Sequence, residues 1–254
     1  MTDNKNTNQG KARRRAVCGV QYLVLTIMAV ISVFPFLWMI ISATNSSMDI
    51  ILGKMSFGSE LMNNIRNLLD AGDLLNCLKN SAILSLFITT LSILICSLAG
   101  YGFVVFKSRA KEFWFSVILL SMMIPTSSLV IPLFKMFSGV GLLNTKLGVM
   151  LPSLSTAFLI FFFRQNTKSF PQETIQAARI DGLGELGIFF KIYMPMMKPT
   201  YSAAIIITFM SSWNNYMWPL ISLQTTDQRT LPLLISSLGT AYTPDYGMIM
   251  VGII

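Results

Sequence analysis

The stretch QAARIDGLGELGIFFKIYMPMMKP (Gln176–Pro199) is compact, charged and patterned, yet long apolar runs lie on both sides of it. Just before it, Pro171 suits the first turn of a helix. QETIQAARI continues with good helix formers and sets Ile175, Ala178 and Arg179 on one face at spacings of three and four. Gly182 ends this helix in the manner common for glycine. A second short helix is expected over Leu183–Tyr193, with Ile188, Phe189 and Ile192 as its apolar face and Pro195 as its stop. Lys198 and Pro199 lead into the next apolar run. Ala177 and Ala178 are small enough for another surface to approach the backbone, and Asp181 with Gly182 makes a tight turn. Arg179, Glu185 and Lys191 keep the segment in water or against a polar partner. Spacing alone leaves two readings open: a docking hairpin, or an amphipathic loop resting on the membrane surface.

Working outward, the 254-residue chain is 53 % hydrophobic and only 12 % charged, about half the charge of a soluble protein. Its apolar runs reach the roughly 20 residues that a helix needs to cross a bilayer. They are continuous rather than alternating, unlike the strands of a membrane β-barrel. An all-α integral membrane protein is expected. Five full spans are expected over Val17–Ala43, Ser81–Phe106, Phe113–Phe134, Leu147–Phe163 and Thr200–Leu223. A sixth apolar stretch starts at Tyr246 and is too short to span before Ile254. Pro35, Pro125 and Pro132 lie in or near spans, where they kink or end helices. The apolar run from Val17 is longer than a signal-peptide core and no cleavage site follows it, so a retained first span is expected. The polar first ten residues are expected to be disordered, within a basic tail over residues 1–16.

The chain has no histidine, which excludes histidine-based zinc sites, Ser-His-Asp triads and histidine proton relays. Cys18, Cys77 and Cys96 show neither metal-site nor disulfide spacing, and no metal or other cofactor is expected. Basic residues set the orientation. With the N-terminus in the cytoplasm, thirteen of the 19 Lys and Arg fall inside, among them Arg13, Arg14, Arg15, Lys107, Arg109, Arg164 and Lys168. The acids divide almost evenly, so the whole net charge of +8 lies on the cytoplasmic face. Membrane topology therefore explains the basic balance, and nucleic acid is not needed as a partner. Gln176–Pro199 then lies in the cytoplasm, within a segment over about 164–199. The outside loop Thr44–Asn80 is long enough for a short amphipathic helix.

The hairpin resembles the EAA loop of membrane subunits of ATP-binding cassette (ABC) importers, E-A-A, three residues, Gly, nine residues, then I-x-L-P. Here the match is Gln176-Ala177-Ala178, Gly182 and Ile192-Tyr193-Met194-Pro195, with every spacer conserved in length. AARIDG and the trailing Pro195–Pro199 resemble the carbohydrate-uptake branch, specifically the second permease of maltose-type systems. LAGYGFVVFK (Leu98–Lys107), GLLNTKLGVMLP (Gly141–Pro152), WNNYMWPLI (Trp213–Ile221) and TLPLLISSLGT (Thr230–Thr240) agree with it. The resemblance covers the chain from Val17 and implies an ABC importer type I permease fold, five complete transmembrane helices plus the start of a sixth, in the cell membrane. It implies a second permease subunit, two ATPase subunits and an external sugar-binding protein as partners, besides membrane lipid. Gln176, Ala177, Ala178, Asp181, Gly182 and Pro195 would form the ATPase-coupling site. The chain has no GxxxxGK[ST] phosphate loop, so it is a transport subunit and not the motor or an enzyme.

Gln176 stands where the family has an acid, and Met194 where it has leucine. The family's sixth span and tail would follow Ile254, so the expectation is a fragment or a shortened subunit. Trp213, Asn214, Asn215 and Tyr216, with Trp218, form an aromatic–amide cluster suited to sugar rings and hydroxyls. The same residues also fit an interfacial aromatic belt with asparagines bonding between helices. A permease for a peptide, an amino acid or a polyol phosphate remains the nearest alternative. A secondary transporter fits poorly, because no charged residue sits mid-span, and no catalytic constellation for a membrane enzyme is visible.

Overall fold

The computed structural model describes residues 3–106, 108–240 and 242–254. Lys107, which closes the LAGYGFVVFK stretch and counts among the inside basic residues, lies outside the described residues. So do the side chains of residues 3–13, 15 and 16, which include Arg13 and Arg15. The helices follow in the order α1 (Asp3–Ala43), α2 (Ser47–Ile51), α3 (Leu61–Asp70), α4 (Leu74–Val105), α5 (Arg109–Ser121), α6 (Thr126–Gly139), α7 (Lys146–Met150), α8 (Ala157–Thr167), α9 (Gln172–Ile180), α10 (Glu185–Ile188), α11 (Met194–Met196), α12 (Lys198–Trp213), α13 (Met217–Ser222), α14 (Leu231–Gly239) and α15 (Tyr246–Ile253). They gather into two compact units, Met1–Gly72 with Ser237–Ile254, and Asp73–Ser236.

In the first unit, α1 starts at Asp3, which corrects the expectation of disorder over the first ten residues. No proline precedes Pro35 in this helix, and a helix already nucleated in the apolar run extends one hydrogen bond at a time. From Val17 to Leu37 its side chains are exposed and, apart from Gln21, Thr26 and Ser32, almost all apolar, the surface that a lipid-facing helix presents. The loop Thr44–Asn80, expected to hold a short amphipathic helix, carries two, α2 and α3. On α3, Asn64 and Leu68 turn inward, and the Asn64 amide donates to the carbonyls of Ala43 and Asn45 at 2.8 and 3.0 Å. α15 packs against α3 and the end of α1. Asp245 caps it by accepting from the Met248 N–H at 3.2 Å, and takes further bonds from Ser47 and Asn67.

In the second unit, α4 is the central rod, with α8 and α12 packed along it. It begins at Leu74, earlier than the expected Ser81, because the Asp73 carboxylate accepts from the Asn76 N–H and caps it there. Contact between α4 and α8 is closest at Gly100, where a Cβ would lie 2.6 Å from Phe163 Cβ and 2.8 Å from the Arg164 nitrogen. One apolar core, around Cys96, Phe163, Ile188, Phe189, Tyr193 and Ala204, joins these helices to the Gln176–Pro199 segment. A second core, with Leu84, Ile88, Phe137, Val149 and Trp218, closes the opposite end of α4.

The expected spans are met unequally. Val17–Ala43 and Leu74–Val105 are unbroken helices long and apolar enough to cross a membrane. The expected third span is the pair α5 and α6, bent by 101°, and the fourth is α7 with α8, bent by 43°. The expected fifth span is divided into α12 and α13 at Asn214–Tyr216. Each break lies near a proline: Pro125, Pro152 and Pro219. A proline ring crowds the preceding turn and removes a donor, so at Pro125 and Pro219 the helix parts on the N-terminal side of the ring; the break between α7 and α8 instead follows Pro152, after Ser153. In the bilayer, broken backbone of this kind is tolerated only where protein or a cavity surrounds it.

Candidate functional site

The hairpin forms as its residues dictate. Pro171 caps α9. At its other end Gly182 has φ +81°, in the left-handed region that glycine enters without steric cost. Three bonds close the turn: Asp181 N–H to Ala177 O, Gly182 N–H to Arg179 O and Leu183 N–H to Ala178 O, at 3.0 to 3.1 Å. The return arm runs through α10, a π-helical turn over Phe189–Tyr193, and α11. Pro195 does not stop it, contrary to the sequence reading. The π turn shifts the hydrogen bonds by one residue, with the Met194 N–H reaching Phe189 O. Pro195, which has no N–H to give, is carried in the first turn of α11 just beyond this shift, and the helical path continues to Met196.

Of the six residues expected to meet an ATPase, Gln176, Ala177, Asp181, Gly182 and Pro195 are exposed. Ala178 is not: it is 4 % exposed and belongs to the core that joins the hairpin to α8 and α4. Spacing had grouped it with Ile175, which is likewise buried, but the expectation of a free contact surface fails for it. Among the described residues, its two chain neighbours aside, nothing lies within 4 Å of a Cβ placed on Gly182. Its demand is therefore conformational, and the space above it is free. The exposed face is completed by two apolar side chains that the motif does not mark, Ile180 at 86 % and Leu186 at 67 % exposure.

The sequence reading also missed what fastens the hairpin. Glu185 accepts from Arg179 Nε at 2.7 Å and from the Tyr101 hydroxyl at 3.4 Å, tying both arms to the end of α4. Arg179 holds the Glu185 carboxyl below its ordinary range, and Glu185 in turn raises the guanidinium. Beneath this clip, Tyr193 is fully buried and shares a 2.6 Å hydrogen bond with Thr167. Its ring centroid lies 4.9 Å from that of Tyr101 and 5.4 Å from that of Phe189. An aromatic spacing such as Tyr193 after Phe189 was the available signal, but it named no partner.

At the breaks, a cavity of about 450 Å³ opens between α6, the α7–α8 junction and the α12–α13 junction. Its polar lining is Thr126, Ser153, Thr156, Thr208, Ser211, Ser212 and Asn215, and among the described residues no charged one reaches it. The Ser212 hydroxyl is buried without a hydrogen-bond partner. The structure disperses the expected aromatic–amide cluster around this space. Asn215 lines the cavity, as does Trp218, whose indole N–H is spent on Gly148 O at 2.9 Å. Trp213 stacks on Phe209 and borders a much smaller void. Asn214 closes α12 by donating to Met210 O, and the Tyr216 hydroxyl accepts from Ser236.

Comparison with known proteins decides the family. The family described as binding-protein-dependent transport system inner membrane component matches residues 92–254, a stretch that holds the hairpin and every residue lining the cavity except Ile88. The chain belongs to this family. The permease is 49 % identical over 242 residues to the lactose transport system permease protein LacG of Rhizobium radiobacter, across 95 % of this chain and 89 % of that one. It is 36 % identical to the arabinooligosaccharides transport system permease protein AraQ of Halalkalibacterium halodurans, over 88 % and 82 % of the two chains. It is 30 % identical to the sn-glycerol-3-phosphate transport system permease protein UgpE of Yersinia pestis, over 79 % and 74 %. A solved bacterial ABC transporter involved in the import of the acidic polysaccharide alginate shares the fold, with a TM-score of 0.81 and 20 % identity over 94 % of the permease and 89 % of that chain. The permease thus has the all-helical fold of an ABC importer membrane subunit. Membrane subunits of this family work with a partner permease, ATPase subunits and a binding protein, and ATP hydrolysis belongs to the separate ATPase.

Proposed function

We propose that this permease forms half of the translocation path of an ABC importer for neutral sugars, mono- or oligosaccharide. The observation that carries the substrate class is the uncharged cavity at the helix breaks, lined by hydroxyls and one amide, with the Ser212 hydroxyl left unpaired. Broken helices facing a mid-membrane cavity are a usual setting for transported solutes. A sugar can replace the missing hydrogen bonds, whereas a phosphorylated or acidic solute would meet no compensating cation. The similarity to the lactose and arabinooligosaccharide permeases supports the same reading, which favours it over the polyol phosphate suggested by the more distant relative.

In this reading residues 17–254 are the permease domain, with five membrane crossings: α1, α4, the bent pairs α5–α6 and α7–α8, and the broken pair α12–α13. The N-terminal tail and the 164–199 segment face the cytoplasm, as the distribution of Lys and Arg supports. Gln176, Ala177, Asp181 and Gly182, with Ile180 and Leu186, meet the ATPase. Pro195 and Ala178 support the return arm and the root of the hairpin. Closure of the ATPase pair then moves the hairpin and the helices fused to it as one body.

The test is ATP-driven uptake by the permease assembled with its partner permease, ATPase and binding protein in liposomes. Labelled disaccharide should accumulate and glycerol phosphate should not. Asn215→Leu should cut sugar uptake by roughly tenfold, the usual cost of one lost hydrogen bond to a substrate hydroxyl, while membrane insertion is unchanged. Preference for the phosphorylated solute would overturn the sugar reading.

A further inference from the structure

Where α4 ends, α5 begins and α8 ends, a second open cleft of about 510 Å³ has a different chemistry. At its base Arg164 is 8 % exposed. Its Nη2 lies 2.6 and 2.7 Å from the two carboxylate oxygens of Glu112, and its guanidinium carbon is 3.7 Å from the centroid of the Phe115 ring. Its Nε is buried without a hydrogen-bond partner. Arg109 and Lys168 stand at the rim, both exposed. Among the described residues neither makes an ion pair, since the Arg164–Glu112 bridge is the one formed here. Among the described residues the cleft therefore holds three cations against one carboxylate. The rest of its wall is Ser108 and the apolar side chains of Phe103 and Val104, at the end of a helix long and apolar enough to cross a membrane.

We propose that this cleft binds the phosphate of an anionic phospholipid headgroup. Arg109 and Lys168 grip the phosphate, Arg164 supplies a positive floor, and the acyl chain runs along Phe103 and Val104. Basic pockets between helix ends at the cytoplasmic surface attract such headgroups, and an arginine fork suits phosphate oxygens. Free phosphate shares the headgroup's charge but would gain nothing from the apolar wall. Trp114 and Lys111 border the adjoining hollow, in keeping with the amphipathic residues that sit at headgroup level. The proposal rests on the orientation given above in assigning the cleft to the cytoplasmic leaflet.

The experiment titrates the assembled transporter in detergent with dioctanoyl phosphatidylglycerol, dioctanoyl phosphatidylcholine and inorganic phosphate, and reads bound ligand by native mass spectrometry. Phosphatidylglycerol should bind in preference to phosphatidylcholine. The double variant Arg109→Gln/Lys168→Gln should lose roughly 25-fold of the phosphatidylglycerol affinity, about fivefold per cation. Glu112→Gln should change it in the opposite direction, because the competing carboxylate is gone. Equal binding of the two lipids, or a preference that survives the double variant, overturns the proposal. Displacement of the lipid by inorganic phosphate at equal concentration assigns the site to a soluble phosphate and also overturns it. Orientation is read separately, by impermeant thiol labelling of Ser169→Cys in whole cells. Labelling from outside would reject the orientation while leaving the binding result to stand by itself.

Discussion

Ala177, Ala178 and Gly182 look alike in the motif, yet each is small for a different physical reason. Ala177 faces outward, so a larger side chain there leaves the chain intact and obstructs a partner. Ala177→Trp should insert normally and lose ATPase binding, as read by co-purification. Ala178 is buried against the permease itself. Ala178→Asp would place an unpaired carboxylate in the core, at a cost of about 3 kcal/mol or more, and should lower the thermal unfolding temperature of the permease. At Gly182 the backbone is the constraint: φ is +81° and the space above is open. Gly182→Val should cost roughly 2 kcal/mol through left-handed strain and appear as faster proteolysis of the hairpin. Glu185 adds a pH dependence. Its carboxyl is held below the usual value of 4.5 by Arg179, so the clip contributes above that value and is lost as pH falls through the lowered one. Hydrogen exchange of the hairpin should rise on acidification, and Glu185→Gln should show the raised rate at neutral pH. The spacing of small residues was legible in the sequence, but which of them faces in depends on α4 and α8, elements about 80 and 15 residues away in the chain.

At the level of elements, the unbroken spans were legible because a long apolar run has no alternative in a bilayer. The bends were not, because hydropathy averages over a break that one proline makes. Pro125, Pro152 and Pro219 were all visible in the sequence, but how far each helix turns is set by the packing around it. The start of α1 was misread for a related reason: its polar residues were judged by composition, while the helix was already propagating from the apolar run. The α4–α8 contact gives a direct check. Gly100→Ala would press a methyl group against Phe163 Cβ and the Arg164 backbone at 2.6 and 2.8 Å. Overpacking of this kind costs about 1–3 kcal/mol, measurable as a lower unfolding temperature with insertion retained. Thr167→Val would leave the Tyr193 hydroxyl buried and unpaired, and should cost a comparable 1–3 kcal/mol. Both changes act where the hairpin joins the spans, so both should also weaken the coupling of ATP hydrolysis to uptake.

Over the whole molecule, two properties define the permease: a cavity without charge at the helix breaks, and a hairpin fused to the helices that line that cavity. α8 shows the connection most plainly. Its start borders the cavity at Phe158 and Leu159, while its end packs against Tyr193 through Thr167. In the proposed mechanism, a displacement of the hairpin reaches the cavity wall through this one helix. The most direct test is ATP-driven sugar uptake by the assembled transporter carrying Ala177→Trp, beside the unaltered transporter, with equal amounts of permease confirmed in the membrane. Uptake should fall to background while the variant remains folded and inserted; uptake at the unaltered rate would contradict coupling through this hairpin.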